Sequence, residues 1–123
     1  MAGEPPRLVR WVGSVLDDLR AFPEEPRTAV GYAIWLAQTG SKAPAAKPMK
    51  GIVKGAGVLE VVEQHDGNTY RAVYTLRFEG VVYVLHAFQK KSRKGLKTPK
   101  HEVDLIRRRY RAAEEDFRRR EQV

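Results

Sequence analysis

The sequence predicts an α+β fold: a short N-terminal strand and a helical hairpin, a three-stranded antiparallel meander, and a C-terminal helix. Apolar residues recur at intervals of three and four near both ends of the chain, as in helices that pack one face. Between them lie runs rich in β-branched and aromatic residues, separated by turn signals. With 123 residues, the chain is expected to form one domain over residues 7–123, after a flexible tail at residues 1–6.

The first strand and the first helix are predicted over residues 8–22. Residues 8–12 form an apolar run that suits a strand, and the apolar residues after it follow helical spacing. Ser14 is expected to cap this helix and to form a capping box with Asp17. Pro23 then ends the helix, because proline lacks the amide proton that a helix interior needs.

The second helix of the hairpin is predicted over Glu24–Gln38. Its apolar side chains form one stripe, and Pro26 suits the first turn, where an amide proton is not required. Gly40 follows the last turn, where helices commonly end on a glycine. Residues 41–48 are rich in alanine, proline and lysine and are predicted to form a loop.

The meander is predicted from three runs, at residues 58–64, 69–78 and 81–89. An Asp-Gly pair at residues 66–67 separates the first two runs and is typical of a tight hairpin turn. A Glu-Gly pair at residues 79–80 precedes the third run. That run is almost wholly apolar, aromatic or β-branched, so we expect it to be central in the sheet.

The last helix is predicted over residues 100–120, after a polar loop at residues 92–99. Thr98 is the expected cap, and Pro99 is expected to occupy the first helical position. The apolar residues of this helix recur every three or four positions and predict one buried stripe, made of Val103, Ile106, Tyr110, Ala113 and Phe117.

The charge of the chain indicates an anionic partner. The net charge is +8 and the isoelectric point is about 10.0, which favours binding to nucleic acid, an anionic membrane or an acidic protein. The positive charge is concentrated in two segments without acidic residues. They carry Lys42, Lys47, Lys50 and Lys54 in the first, and Lys90, Lys91, Arg93, Lys94, Lys97 and Lys100 in the second.

Several classes of function are excluded by composition. The chain has no cysteine, so it has neither disulfides nor thiolate metal sites nor a cysteine nucleophile. Three widely spaced histidines and no paired carboxylates at ligand spacing predict neither a metal site nor another cofactor. Neither a signal peptide nor a membrane span is recognisable, so a cytoplasmic location without membrane contact is expected.

Three stretches resemble a known family. The run GNTYRAVY at residues 67–74 resembles the strand that presents an active-site arginine in toxins of the RelE/ParE superfamily. The run VLHAFQKK at residues 84–91, followed by Lys97-Thr98-Pro99 and a helix, is similar to the phage-derived HigB-like branch of that superfamily. Residues 49–51 and 57–60 also fit the pattern, and the resemblance covers roughly residues 8–118.

The resemblance implies the toxin of a type II toxin–antitoxin pair with a RelE-like fold. Such toxins enter the ribosomal A site and cut the mRNA there, so the implied partners are the ribosome and mRNA. A small cognate antitoxin, in this branch often of the helix-turn-helix type, binds and blocks the toxin, and the pair commonly represses its own operon.

Metal-independent RNA cleavage needs a base for the 2′-hydroxyl, cations for the developing phosphorane charge and an acid for the leaving oxygen. Arg71 is the first catalytic candidate, because an arginine can bind the scissile phosphate through two hydrogen bonds. His86, Phe88 and Lys90 share one face of their strand by alternation. His86 and Lys90 are catalytic candidates, and Phe88 is a candidate for stacking on a base, although a core role for this ring is the more common one.

The loop lysines complete the expected site. By resemblance, Lys50 is a catalytic candidate and Lys54 an RNA-binding one. Glu60 is a possible base, although an exposed strand glutamate more often has no such role. The lysine-rich loop after the last strand is expected to contact RNA backbone in a salt-dependent way through Lys91, Arg93, Lys94 and Lys97.

Two alternative functions remain open from the sequence. One is a toxin of the same fold that acts on DNA gyrase, and the other is a domain that binds RNA without cutting it. The sequence also departs from its relatives, since Lys47 and Pro48 stand where some members carry a carboxylate before the loop lysine. The identity of the general base is therefore open.

Overall fold

The computed structural model describes residues 5–54, 57–90 and 98–122. Its architecture confirms the predicted α+β class, with two N-terminal helices, a sheet and a C-terminal helix. In chain order the elements are β1 (Leu8–Trp11), α1 (Val15–Arg20), α2 (Glu24–Gln38), β2 (Ala46–Pro48), β3 (Val58–His65), β4 (Asn68–Thr75), β5 (Val81–Lys90) and α3 (Lys100–Glu121).

The sheet has five strands in the order β1-β5-β4-β3-β2. The predicted meander is β3-β4-β5, paired antiparallel. β5 has a neighbour on both sides, as its apolar sequence predicts, because β1 pairs with it in parallel. β1 forms one edge of the sheet, and the helical hairpin of α1 and α2 follows it. The chain then returns to the sheet at β2, which forms the other edge.

Helices cover both faces of the sheet. α1 and α2 pack on one face through a cluster that includes Val15, Val30 and Ala37. α3 packs on the other, here called the α3 face, through the predicted stripe. Three stripe residues, Ile106, Tyr110 and Ala113, are buried, and the two end residues are partly buried. Because side chains alternate along each strand, the α3 face also receives Arg71, His86 and Phe88.

The hairpin turn between β3 and β4 is confirmed. Asp66 and Gly67 have φ angles of 50° and 78°, as a type I′ turn requires at both central positions. β4 ends at Thr75, three residues before the predicted end. The hydroxyl of Thr75 donates to the Gly57 carbonyl at 2.9 Å and accepts from the Arg77 amide at 3.2 Å. These bonds turn the backbone out of the ladder.

The N-cap position of Ser14 is confirmed, but the predicted side-chain capping is wrong at both α1 and α3. Ser14 occupies the N-cap position of α1 but caps no backbone amide; its hydroxyl donates instead to the Asp18 carboxylate at 2.8 Å, so there is no capping box with Asp17. Pro99, and not Thr98, occupies the N-cap position of α3. A proline there offers no side-chain acceptor, so the first turn is not capped by a side chain.

The segment at residues 41–48, predicted to be a loop, contains the short edge strand β2. It pairs antiparallel with β3, placing Lys47 opposite Glu60 and Pro48 opposite Leu59. A three-residue strand that includes a proline has no alternating pattern to reveal it, but a proline is tolerated at a sheet edge. The expected tail at residues 1–6 and the loop at residues 92–99 lie largely outside the described residues.

Ile106 tests how much the packing of α3 contributes to stability. Its side chain is fully buried, so Ile106→Ala should lower the free energy of unfolding by about 2–4 kcal/mol, through lost transfer energy and a residual cavity. Urea denaturation followed by circular dichroism measures this loss. Arg108→Ala, at an exposed position of the same helix, should change stability by less than about 0.5 kcal/mol. Equal effects in both variants would contradict the assigned packing.

Candidate active site on the sheet face

Three rows of paired residues run across β3, β4 and β5 on the α3 face. Residues paired across neighbouring strands have side chains on the same side of a sheet. One row places Arg71 between Val62 and Phe88. The next row places Val73 between Glu60 and His86. A third row ends with Thr69 opposite Lys90. The sheet therefore brings together the predicted candidates Arg71, His86, Phe88 and Lys90.

Arg71 forms an ion pair with Glu60, its diagonal neighbour on the adjacent strand. An Nη atom of Arg71 lies 3.2 Å from a carboxylate oxygen of Glu60. The Arg71 side chain is 5% exposed, whereas that of Glu60 is 21% exposed. The guanidinium is thus held inside the sheet face, and the carboxylate that neutralises it remains accessible to solvent. This contact gives Glu60 a defined place in the candidate site.

His86 is buried and has partners at both ring nitrogens. Its Nε2 atom lies 2.9 Å from a carboxylate oxygen of Glu102, and its Nδ1 atom lies 3.3 Å from an Nη atom of Arg109. A guanidinium only donates hydrogen bonds, so Nδ1 accepts from Arg109 and Nε2 carries the proton donated to Glu102. The hydrogen-bond network therefore selects one neutral tautomer of His86.

The environment also lowers the pKa of His86. Burial is the largest cause, and the positive charge of Arg109 acts in the same direction, whereas the hydrogen bond and the charge of Glu102 oppose them. Phe88 stacks on the imidazole with ring centroids 4.7 Å apart and planes inclined by 20°. Phe88 is itself only 8% exposed, so nearly all of its surface is covered by protein.

A bulge in β5 sets the position of His86. The register with β4 passes from Val73 opposite His86 to Tyr74 opposite Val84, so Leu85 is the extra residue. A bulge places two consecutive residues against one residue of the partner strand. The Leu85 carbonyl accepts a hydrogen bond from Arg109 at 3.0 Å. The same guanidinium thus binds both the bulged residue and the histidine after it.

The loop between β2 and β3 carries the predicted lysines. Lys50 and Lys54 are exposed and line a pocket of about 440 Å³ with neighbouring loop residues. Arg107 of α3 holds this loop by donating to the carbonyls of Gly51 and Ile52. Lys90, at the end of β5, is half-buried. Lys91, Arg93, Lys94 and Lys97, predicted to bind RNA, lie outside the described residues.

Sequence patterns do not identify the roles of three residues in this arrangement. The sequence makes Glu60 a possible base but favours an exposed strand position without such a role. Glu102 and Arg109 were not singled out. They stand seven residues apart, two helical turns, beside the apolar stripe of α3, and this spacing does place them on one side of the helix. Their contact with His86, however, depends on how α3 crosses the sheet.

The buried neutral His86 makes stability depend on pH. The unfolded chain binds a proton at this residue more readily than the folded protein does, so the free energy of unfolding should fall as the pH drops below about 6.5, the ordinary histidine pKa. Above that pH the contribution is fully present. In His86→Gln this part of the pH dependence should disappear, as measured by urea denaturation between pH 5 and 8.

The control for this measurement is His101→Gln. The His101 side chain is 80% exposed, and its Nε2 atom lies 4.0 Å from the Glu102 carboxylate, outside hydrogen-bond distance. This variant should therefore keep most of the pH dependence of the wild type. An unchanged acid slope in His86→Gln would show that the histidine is not held in the neutral form.

Residues 5–54, 57–90 and 98–122 contain neither a cluster of metal-ligating side chains nor a membrane-spanning helix. No group of three or more histidine, aspartate or glutamate side chains there is arranged to hold a metal ion. Over the same ranges, no helix has the length and apolarity needed to cross a membrane.

Comparisons with known proteins give a family. No curated protein matches the chain significantly. A crystal structure of the toxin–antitoxin complex RelBE2 from Mycobacterium tuberculosis is similar over 69% of this chain and 99% of that chain, with 21% identity and a TM-score of 0.45. The family described as phage derived protein Gp49-like (DUF891) matches residues 17–111. Since this match covers most of the chain, the protein belongs to the family of phage-derived Gp49-like proteins.

Proposed function

We propose that this protein is the toxin of a type II toxin–antitoxin system and a ribosome-dependent, metal-independent mRNA endoribonuclease of the HigB-like branch. The observation that carries the proposal is the contact of Arg71 with Glu60, 3.2 Å apart on the α3 face. Membership of a phage-derived family supports the toxin role. The basic character of the chain, with a net charge of +8, supports a polyanionic target.

The proposed reaction uses Glu60 as the general base. Its carboxylate takes the proton of the attacking 2′-hydroxyl, the 2′-oxygen forms a bond to phosphorus, and the bond from phosphorus to the 5′-oxygen breaks. The products are a 2′,3′-cyclic phosphate and a 5′-hydroxyl. An ammonium group of Lys50 or Lys90 gives its proton to the leaving 5′-oxygen. Arg71 shifts from Glu60 towards the phosphorane oxygens as their negative charge develops.

His86 acts in this proposal by position. Both of its ring nitrogens already have protein partners, so it is poorly placed to exchange protons with RNA. Its ring supports Phe88, which lies beside Arg71 in the same row. Removal of His86 should therefore disturb the site through Phe88 and α3.

The partners follow from the same proposal. Ribosomal RNA and mRNA would be bound by Lys54, Phe88 and the lysines of the loop after β5, together with the catalytic groups. A cognate antitoxin, expected to be of the helix-turn-helix type, would bind the toxin and block it. Action on ribosomes implies a cytoplasmic location.

The decisive experiment compares Glu60→Gln with Glu63→Gln. Both remove a carboxylate from β3, but Glu63 pairs with Tyr70 and so faces away from the α3 face. We expect induced wild type and Glu63→Gln to arrest growth and cut mRNA on ribosomes, mapped by 5′ ends. Loss of the base in Glu60→Gln should slow cleavage by about 10²-fold or more.

Each other result in this experiment rejects part of the proposal. Growth arrest without mRNA cleavage, accompanied by loss of DNA supercoiling, would assign the protein to DNA gyrase. Binding to ribosomes with neither cleavage nor arrest would indicate a non-catalytic RNA-binding domain. Equal cleavage by Glu60→Gln and Glu63→Gln would reject Glu60 as the base and leave the endonuclease function intact.

Arg71→Lys tests the arginine separately. Lysine keeps the positive charge near Glu60 but loses the planar two-donor geometry that fits a phosphate. We expect cleavage to fall by about 10²-fold or more, the scale of losing a donor that stabilises transition-state charge, with ribosome affinity nearly unchanged. Single-turnover cleavage and filter binding measure the two quantities. Wild-type cleavage by a folded Arg71→Lys protein would remove Arg71 from the reaction.

The loop lysines predict the salt dependence of ribosome binding. In the double variant Lys50→Ala with Lys54→Ala, fewer counterions are released on binding, so the slope of log affinity against log salt should become shallower by about 1–2. Arg27→Ala removes an exposed cation from α2, which packs on the opposite face of the sheet, and should leave the slope unchanged. An unaltered slope in the double variant would show that this loop does not contact RNA.

A further inference from the structure

A second cleft lies between β1 and the C-terminal half of α3, apart from the candidate active site. It has a volume of about 460 Å³ and shares no lining residue with that site. Its walls are apolar near Val9 and Val12 and along the small residues Ala112 and Ala113. Its charged and aromatic lining consists of Arg10, Trp11, Tyr83, Asp116, Arg119 and Arg120.

One side of this cleft is a sheet edge that is open beyond Arg7, whose backbone amide and carbonyl are bonded to Gln38 of α2. β1 is the terminal strand of the sheet and pairs only with β5. The amides of Leu8 and Val12 donate to the carbonyls of Gly80 and Val84. By the two-residue period of a strand, the amide and carbonyl groups of Val9 and Trp11 therefore point away from β5. Such an edge is a template for a further strand from another chain.

The charges of the cleft favour carboxylate groups. Three arginines, Arg10, Arg119 and Arg120, stand against the single carboxylate of Asp116. That carboxylate is already engaged, since the Tyr83 hydroxyl donates to it at 2.6 Å and Arg120 Nε lies 2.9 Å away. Burial and this hydrogen bond raise the pKa of Tyr83 to about 12. Tyr83 thus stays protonated as a donor at neutral pH, and the cleft keeps an excess of positive charge.

We propose that the β1 edge and this cleft bind an extended acidic peptide segment of a partner protein. The segment adds to the sheet as a sixth strand, pairing with the outward backbone groups of Val9 and Trp11. Its carboxylates, on the side that faces α3, meet Arg10, Arg119 and Arg120. The inference rests on this edge and its charges and does not depend on the proposed ribonuclease activity.

A second copy of this chain fits the edge less well. Strand pairing of β1 with β1 would bring the Arg10 side chains of both copies close together across the new ladder, and like charges at such positions are destabilising. RNA would use the arginines but not the outward backbone groups of an apolar strand. An acidic strand uses both features.

The test uses a capped heptapeptide of alternating glutamate and valine as the probe. Amide chemical shifts of the protein are followed during its titration. We expect saturable shifts centred on Val9 and Trp11. An otherwise identical peptide with alternate backbone amides methylated should bind at least about tenfold more weakly, because it cannot complete the ladder. A peptide with lysine in place of glutamate should not bind.

Variants of the protein separate the contribution of backbone pairing at β1 from that of the arginine charges. Val9→Pro removes an amide proton on the open side of β1 and is compatible with an edge strand. Arg119→Glu with Arg120→Glu reverses the charge. Each change should weaken binding of the glutamate peptide by about tenfold or more, while Arg108→Ala should bind the peptide as wild type does. Ribosome-dependent cleavage is measured in Val9→Pro, which keeps the net charge, and should be unchanged.

Three results would contradict the proposal. No shift at β1 at millimolar peptide overturns the proposal. Equal binding of the methylated peptide reduces the site to ionic attraction and overturns strand addition. Tighter binding of a single-stranded oligoribonucleotide at the same residues, displacing the peptide, would assign the cleft to RNA instead.

Discussion

The guanidinium of Arg109 joins the elements around the candidate site more directly than any apolar contact. It binds the carbonyl of Leu85 at the β5 bulge, the imidazole of His86 and the hydroxyl of Ser14. One side chain of α3 therefore touches both β5 and the turn that begins α1. Gly13 shows how close this approach is, since a Cβ atom there would lie 3.1 Å from the guanidinium, and its φ of 58° also suits glycine.

The α3 face combines a hydrophobic core with buried polar groups that the core does not require. Near the C-terminal half of α3 it is apolar and aromatic, with Phe78 packed against Tyr83, Tyr110 and Phe117. Towards the other end it holds Arg71 with Glu60, and His86 with Glu102. Arg71 and Glu60 form an ion pair, and neutral His86 donates a hydrogen bond to Glu102. Buried polar pairs of this kind often stabilise a protein less than well-packed apolar residues of the same volume would. Their concentration at one end of the face is expected of a site kept for chemistry.

Local patterns in the sequence predict much of the fold. The bounds of α2 are predicted at Glu24–Gln38, because a proline precedes it, its stripe is regular and Gly40 follows. The Asp-Gly turn and the stripe of α3 are equally local. The parallel pairing of β1 with β5 is not, since it depends on the route of the whole helical hairpin. β2 is not predicted, because its pairing with β3, and not its composition, makes it a strand.

The candidate site also has a part that local sequence patterns predict and a part that depends on tertiary contacts. Strand alternation alone places His86, Phe88 and Lys90 on one face, and the hairpin register adds Arg71. The role of Glu60 depends on a diagonal contact between strands, and the partners of His86 come from a helix that crosses the sheet. The bulge at Leu85 has no sequence signal of its own. Tertiary contacts therefore supply the part of the site that determines tautomer and charge.

The order of the strands has a consequence for synthesis. β1 is made early, but its partner β5 begins more than seventy positions later, and α3 follows only after that. Contacts between distant parts of a chain form late because long loops must first close. While the chain is still being translated, β1 has no strand to join and the α3 face has no helix over it. The face that carries Arg71 and His86 is therefore completed only after α3 has been made.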